Sequence, residues 1–158
     1  MDFQIVSRGE FVICGYAVET TLTNNDADIT GLYSDVLGTE KEKALLALSG
    51  VQTGYYGLEW YTQGHNSFFY LLGKAIDSNN DVPAGAVLRV IPSAEYAVAK
   101  IPAGTSLVDA WTEFFYTAIP SRGLAPDESH GFYFEYYPQT TNGDCELWAP
   151  VIKTHSVN

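Results

Sequence analysis

The chain has 158 residues, 46% of them hydrophobic and no long polar tract, which suits one ordinary domain with a real core. A formal charge of −11, from 19 acids against 8 bases, repels phosphate backbones and speaks against nucleic acid as a partner. No apolar run is long enough to span a bilayer, no export signal opens the chain, and Cys14 and Cys145 have neither disulfide-framework nor zinc-site spacing. The expectation is a cytoplasmic protein without membrane contact, cofactor or metal, its two cysteines buried as apolar residues.

From Phe3 to Leu22 the chain is rich in β-branched and aromatic residues, with Gly9 and Gly15 as bends, and reads as one or two strands. After the turn at Asn24-Asn25-Asp26, Asp26 or Asp28 caps a helix through Leu32, Tyr33, Val36 and Leu37 that ends at Gly38. Thr39-Glu40-Lys41-Glu42 has capping-box spacing and opens a second, short helix stopping at Gly50. Gly54 to Gln63 and Phe68 to Ile76 read as a hairpin turning at Gly64-His65-Asn66-Ser67.

The polar stretch Asp77 to Gly85 is a linker between halves. Val87 to Ile101 then reads as one long or bent strand pair with a break at Pro92. Ser106 and Asp109 mark a helix start, and Leu107, Trp111, Phe114, Phe115 and Ala118 recur on one helical face until Pro120 stops it. Gly131 to Pro138 and Glu146 to Lys153 form a closing hairpin around Thr141-Asn142-Gly143-Asp144.

The second half overlays the first at an offset of about 78 residues. Tyr16-Ala17-Val18 meets Tyr96-Ala97-Val98, Tyr33 meets Trp111, Glu59 meets Glu135, and Tyr70 meets Trp148. Repeat 1 covers about 1–78 and repeat 2 about 86–158 of a single domain over 1–158. The fold class is therefore α+β: duplicated strand-helix-strand-strand modules sharing one antiparallel sheet, with two main helices on one face and a central cleft.

Three stretches carry a family likeness: Tyr55-Tyr56-Gly57; Ile91-Pro92-Ser93-Ala94-Glu95-Tyr96-Ala97-Val98 leading to Pro102-Ala103-Gly104; and Phe134-Glu135-Tyr136-Tyr137 followed by Glu146-Leu147-Trp148-Ala149-Pro150-Val151. In order and spacing they resemble the effector-binding domain family of gyrase-inhibitor-like proteins and the ligand-binding halves of AraC- and MerR-type multidrug regulators. The resemblance implies a cleft that in several members receives bulky apolar cations against a buried glutamate, which falls on Glu135. It also implies a ligand-binding module standing alone, because the sequence has no room for a preceding helix-turn-helix.

Aromatic residues make up 14% of the chain, and rings with few polar groups suit an organic ligand. Glu135 stands in a run of rings, where an ionised carboxylate requires either a cationic ligand or hydrogen bonds from tyrosine hydroxyls. Strand alternation puts Tyr133 and Tyr137 on its face, and Phe134 and Tyr136 on the other. Trp60, Tyr33, Trp111, Phe115 and Trp148 are candidate walls, although helical spacing explains Trp111 and Phe115 equally well as core. Glu59 is either a second cleft acid or, by preference, an exposed strand glutamate.

Two other functions compete with a small apolar or cationic ligand. Similar-looking hydrolases exist among the relatives that the resemblance brings in, and Glu135 could serve as a general base there if burial raises its pKa. His65, His130 and His155 lack metal spacing, and no nucleophile context stands out. An acidic protein-interaction module is compatible with the charge, without being indicated by it.

Overall fold

The computed structural model describes residues 1–61, 66–139 and 141–154. Strands β1 (Gln4–Arg8) and β2 (Phe11–Thr21) lie end to end, separated by Gly9 and Glu10. Helices α1 (Asn25–Val36) and α2 (Glu40–Leu46) follow, then β3 (Tyr55–Tyr61) and β4 (Ser67–Ile76), which pair antiparallel. Gly64 and His65 of the expected turn lie outside the described residues.

The second half runs through β5 (Val87–Ile91), β6 (Ala94–Ile101) and α3 (Leu107–Glu113). A π-helical turn (Phe114–Ala118) carries α3 into α4 (Ile119–Ser121). Strands β7 (Leu124–Pro126), β8 (Phe132–Tyr137) and β9 (Cys145–Lys153) complete it.

The nine strands form one antiparallel sheet, ordered β1-β6-β9-β8-β3-β4-β2-β5, with β7 beside β9. Exchanging β1, β2, β3 and β4 for β5, β6, β8 and β9 gives the same order read from the other end, so β3 and β8 meet at a pseudo-twofold centre.

Strands β5 and β6 do not pair with each other, which corrects the strand pair expected over Val87–Ile101. A tight hairpin turn needs residues at positive φ, and Pro92 and Ser93 supply none. The chain bends there instead, so that β5 pairs with β2 and β6 with β1. The Tyr96 hydroxyl braces the bend by donating to the Pro92 carbonyl at 3.1 Å.

These two bends tie the ends of the sheet together and curl it. Ile13, Ile91, Tyr96, Phe134 and Trp148, drawn from both ends and the middle, accordingly form one core on the helix-free face. The other face carries the helices. Leu32, Val36 and Leu45 of α1 and α2 pack with Cys14, Tyr70 and Leu72, while Ala110, Phe114 and Ile119 pack with Ala97, Ala99, Leu147 and Ala149. Burial of each large apolar side chain contributes about 1.5–3 kcal/mol. Among the described residues, no helix is long and apolar enough to cross a membrane.

Local chemistry sets the helix ends. Ser106 Oγ accepts from the Asp109 amide at 3.3 Å, and Thr39 Oγ1 accepts from the Lys41 amide at 3.2 Å. Glu42 accepts from the Gly38 amide rather than closing a capping box on Thr39. Neither Asp26 nor Asp28 caps α1: both lie in its first turn, where acids suit the helix dipole, and Asp28 accepts from the Thr20 hydroxyl at 2.7 Å. Pro120 does not end the helix begun by α3 at once. In the π-helical turn the Ile119 amide reaches back to the Phe114 carbonyl, which gives the proline ring room and lets the helix run on to Ser121.

Candidate ligand-binding site

At the sheet centre Leu58 faces Phe134 across the β3–β8 ladder, with Gly57 opposite Glu135 and Glu59 opposite Tyr133. Side chains alternate along strands, so Glu59 and Glu135 project from the same, helix-covered face as diagonal neighbours. Both border a cavity of about 390 Å³ floored by β3, β4 and β8 and walled by Tyr33 of α1 and Trp111 of α3. Among the described residues, every charged one lining it is acidic: Asp26, Glu59 and Glu135.

The Glu135 side chain is only 4% exposed. Tyr70 donates to its Oε1 at 2.9 Å, Tyr137 to the same oxygen at 3.2 Å, and Trp111 Nε1 to Oε2 at 2.9 Å. The Tyr33 and Tyr70 hydroxyls lie 2.7 Å apart, extending the network to the cavity wall. Burial pushes the Glu135 carboxyl above its usual range, while the Trp111, Tyr70 and Tyr137 donors pull it back. Neutral donors of this kind orient a carboxylate and contribute about 1.5–3 kcal/mol each, but they leave its charge in place.

Room for the Tyr70–Glu135 bond comes from Gly57. A Cβ there would stand 2.0 Å from the Tyr70 hydroxyl oxygen and 2.8 Å from Glu135 Oε1. The Tyr-Tyr-Gly stretch thus positions the carboxylate by omitting a side chain.

The preferred reading of Glu59 as an exposed strand glutamate is corrected. It is half-buried because the helices overhang the sheet centre, and it borders the same cavity as Glu135. Burial, and then the Glu135 charge, raise its pKa to about 8 against a hydrogen bond from Tyr133. The Tyr133 hydroxyl also lies 2.6 Å from that of Tyr61.

Of the other predicted residues, Tyr33, Trp111 and Tyr137 border the cavity with the two glutamates. Phe115 and Tyr133 stand behind Trp111, with ring centres 5.1 and 4.6 Å from it, and line an adjoining hollow of about 610 Å³. Trp60 and Trp148 are not brought to the cavity. Each alternates with a residue of the helix-covered face, so both join the core on the other side of the sheet. Trp148 stacks there on Phe134 at 5.5 Å, and Trp60 on Phe69 at 5.2 Å.

Sequence reasoning missed Tyr70 as a site residue, naming it only as a repeat match to Trp148. The register makes Leu147 its counterpart, since Tyr70 pairs with Glu59 and Leu147 with Glu135. Tyr16 and Tyr96 likewise fall on opposite faces. The alternation of β4 against the glutamate of β3 was the available signal for Tyr70.

A cavity between two helices over a shared antiparallel sheet, built on this strand order, defines an effector-binding domain, a class that binds small molecules. The chain belongs to the integron-associated effector binding proteins, whose family profile matches residues 4–151. Its fold is similar to that of SAV2435 solved with tetraphenylphosphonium, at 16% identity over 96% of this chain and 94% of that one, with a TM-score of 0.71. The integron cassette protein VCH_CASS2 of Vibrio cholerae is similar at 20% identity over 95% of each chain, TM-score 0.65. The EcmrR C-terminal domain is similar at 12% identity over 98% of this chain and all of that one, TM-score 0.62. No curated protein matches the chain by sequence.

Proposed function

We propose that the protein binds amphipathic aromatic cations in the cavity between α1 and α3, with Glu135 as the counter-charge and Tyr33 and Trp111 as flanking rings. The observation that carries this reading is a buried carboxylate without a positive partner. Among the described residues, no ion pair involves Glu135, and its hydrogen bonds all come from neutral groups. A cation about 4 Å away gains about 4 kcal/mol at an effective dielectric of 20. Each ring face beneath it adds about 0.5–2 kcal/mol. A neutral molecule of the same shape keeps only the apolar contacts. The solved complex of SAV2435 with tetraphenylphosphonium, a lipophilic aromatic cation, supports the same choice of ligand class.

The test uses tetraphenylphosphonium and neutral triphenylphosphine oxide with wild type and Glu135→Gln. A ligand that binds only the folded state raises the melting temperature. The cation is expected to raise that of the wild type by several degrees, and the oxide to do little. Glu135→Gln, which keeps the shape and the acceptor oxygen, loses the difference. Equal shifts by both compounds, or an unchanged response in the variant, would overturn Glu135 as counter-charge.

A further inference from the structure

The two cavity carboxylates have unlike surroundings. Glu135 is held by the Tyr70, Tyr137 and Trp111 donors and is almost fully covered. Glu59, its diagonal neighbour on β3, is more open and hydrogen-bonded by the Tyr133 hydroxyl. Diagonal cross-strand positions stand about 7–8 Å apart, roughly the distance between the two ends of a pair of linked aromatic rings.

We propose that the cavity takes a rigid aromatic dication, one positive end against Glu135 and the other against Glu59, and that Glu59 releases a proton to water as this ligand binds. The inference rests on the cation-pocket reading above and adds a ligand class and a proton balance to it.

Among the described residues, the groups facing Glu59 offer no positive charge. Tyr133 and Glu135 face it from β8, Tyr61 from its own strand and Tyr70 from β4. Across the cavity stand Tyr33 and Asp26 of α1, Trp111 of α3, and Tyr137. All are acidic, phenolic or neutral. Two carboxylates this close in a partly dry space hold one proton more tightly than either does in water. Glu135 accepts from three donors and Glu59 from one, so Glu135 is the better-held anion and the proton shared by the pair goes to Glu59. A monocation meets Glu135 and leaves that proton in place. The second positive end of a dication replaces the proton, so the carboxylic acid and the dication become a carboxylate–dication pair plus one proton in solution.

The two modes differ in pH dependence. Below the Glu59 pKa, dication affinity rises about tenfold per pH unit because one proton leaves per ligand bound, while monocation affinity over the same range does not gain this tenfold dependence. The planar dimethyl bipyridinium dication and methyl-phenylpyridinium, of nearly the same shape with one charge, form a matched pair of probes.

Isothermal titration calorimetry of the wild type at about pH 7, in two buffers of different ionisation enthalpy, counts released protons directly. The expected result is close to one proton for the bipyridinium and close to none for the phenylpyridinium. In Glu59→Gln the bipyridinium count falls to near zero and its affinity drops at least tenfold, while the phenylpyridinium count remains near zero. Equal proton counts for the two cations overturn the proposal, and since that comparison needs only wild type, a poorly folding variant does not blur it. If the phenylpyridinium binds wild type but not Glu135→Gln while the bipyridinium releases no proton, the cation pocket stands and only the dication inference falls. If neither cation binds, both fall.

Discussion

A Cβ on Gly57 would stand 2.0 Å from the Tyr70 hydroxyl, so the bond from Tyr70 to Glu135 exists only because β3 carries no side chain there. Gly57→Ala is expected to push Tyr70 off Glu135 and to destabilise the protein by about 1–3 kcal/mol, the usual range for overpacking a tight site. Tyr70→Phe removes the hydroxyl that the new methyl group would strike. The double variant should therefore be less destabilised than the sum of the two single changes, by about 0.5 kcal/mol or more. Urea unfolding of the four proteins in this cycle measures it, and strict additivity would mean that the contact does not govern the site.

Much of this arrangement was legible in the sequence, because strand alternation depends only on position. Once Phe132–Tyr137 is taken as a strand, Glu135 must share a face with Tyr133 and Tyr137, and it does. The repeat offset that matches Tyr33 with Trp111 likewise put one ring on each helix wall. Matches between strands were less secure, because a slip of one residue moves a side chain to the other face. Tyr70 and Trp148 look equivalent as aromatic letters, yet the ladders make Tyr70 the counterpart of Leu147. The burial of Glu59 was hidden for another reason: it depends on where the helices overhang the sheet, which no local pattern records.

Glu59 should make the stability of the unliganded protein fall as pH rises. Its pKa in the folded protein is about 8, against about 4.5 for an ordinary glutamate. Between those values the folded state keeps a proton that the unfolded chain has already lost. Deprotonating the solution therefore favours unfolding, with a slope approaching about 1.4 kcal/mol per pH unit for one proton. The stabilising contribution is complete below the ordinary glutamate range and is lost as pH climbs through the folded value. Glu59→Gln, which cannot titrate, is expected to flatten this slope. Chemical denaturation at a series of pH values from about 5 to 9 tests the sign, and stability that rose across this window in wild type would contradict it.

Trp111 and Trp148 are both large, half or more buried and rich in aromatic contacts, but they stand on opposite faces of the sheet. Trp148 stacks on Phe134, meets Tyr96 edge to face at 5.4 Å and lies beneath the Arg8 guanidinium at 5.1 Å. Trp111 gives its indole N–H to Glu135 and presents its ring to the cavity. Truncating either to leucine removes ring contacts and is expected to cost about 1–3 kcal/mol of stability. Their effects on ligand should diverge. Trp111→Leu removes a cavity wall and a Glu135 donor together, so tetraphenylphosphonium affinity is expected to fall at least tenfold, since one cation–ring contact alone accounts for about 0.5–2 kcal/mol. Trp148→Leu should leave that affinity within about twofold, measured where both variants remain folded. A large loss of affinity in Trp148→Leu would place the ligand on the helix-free face and move the site away from Glu135 altogether.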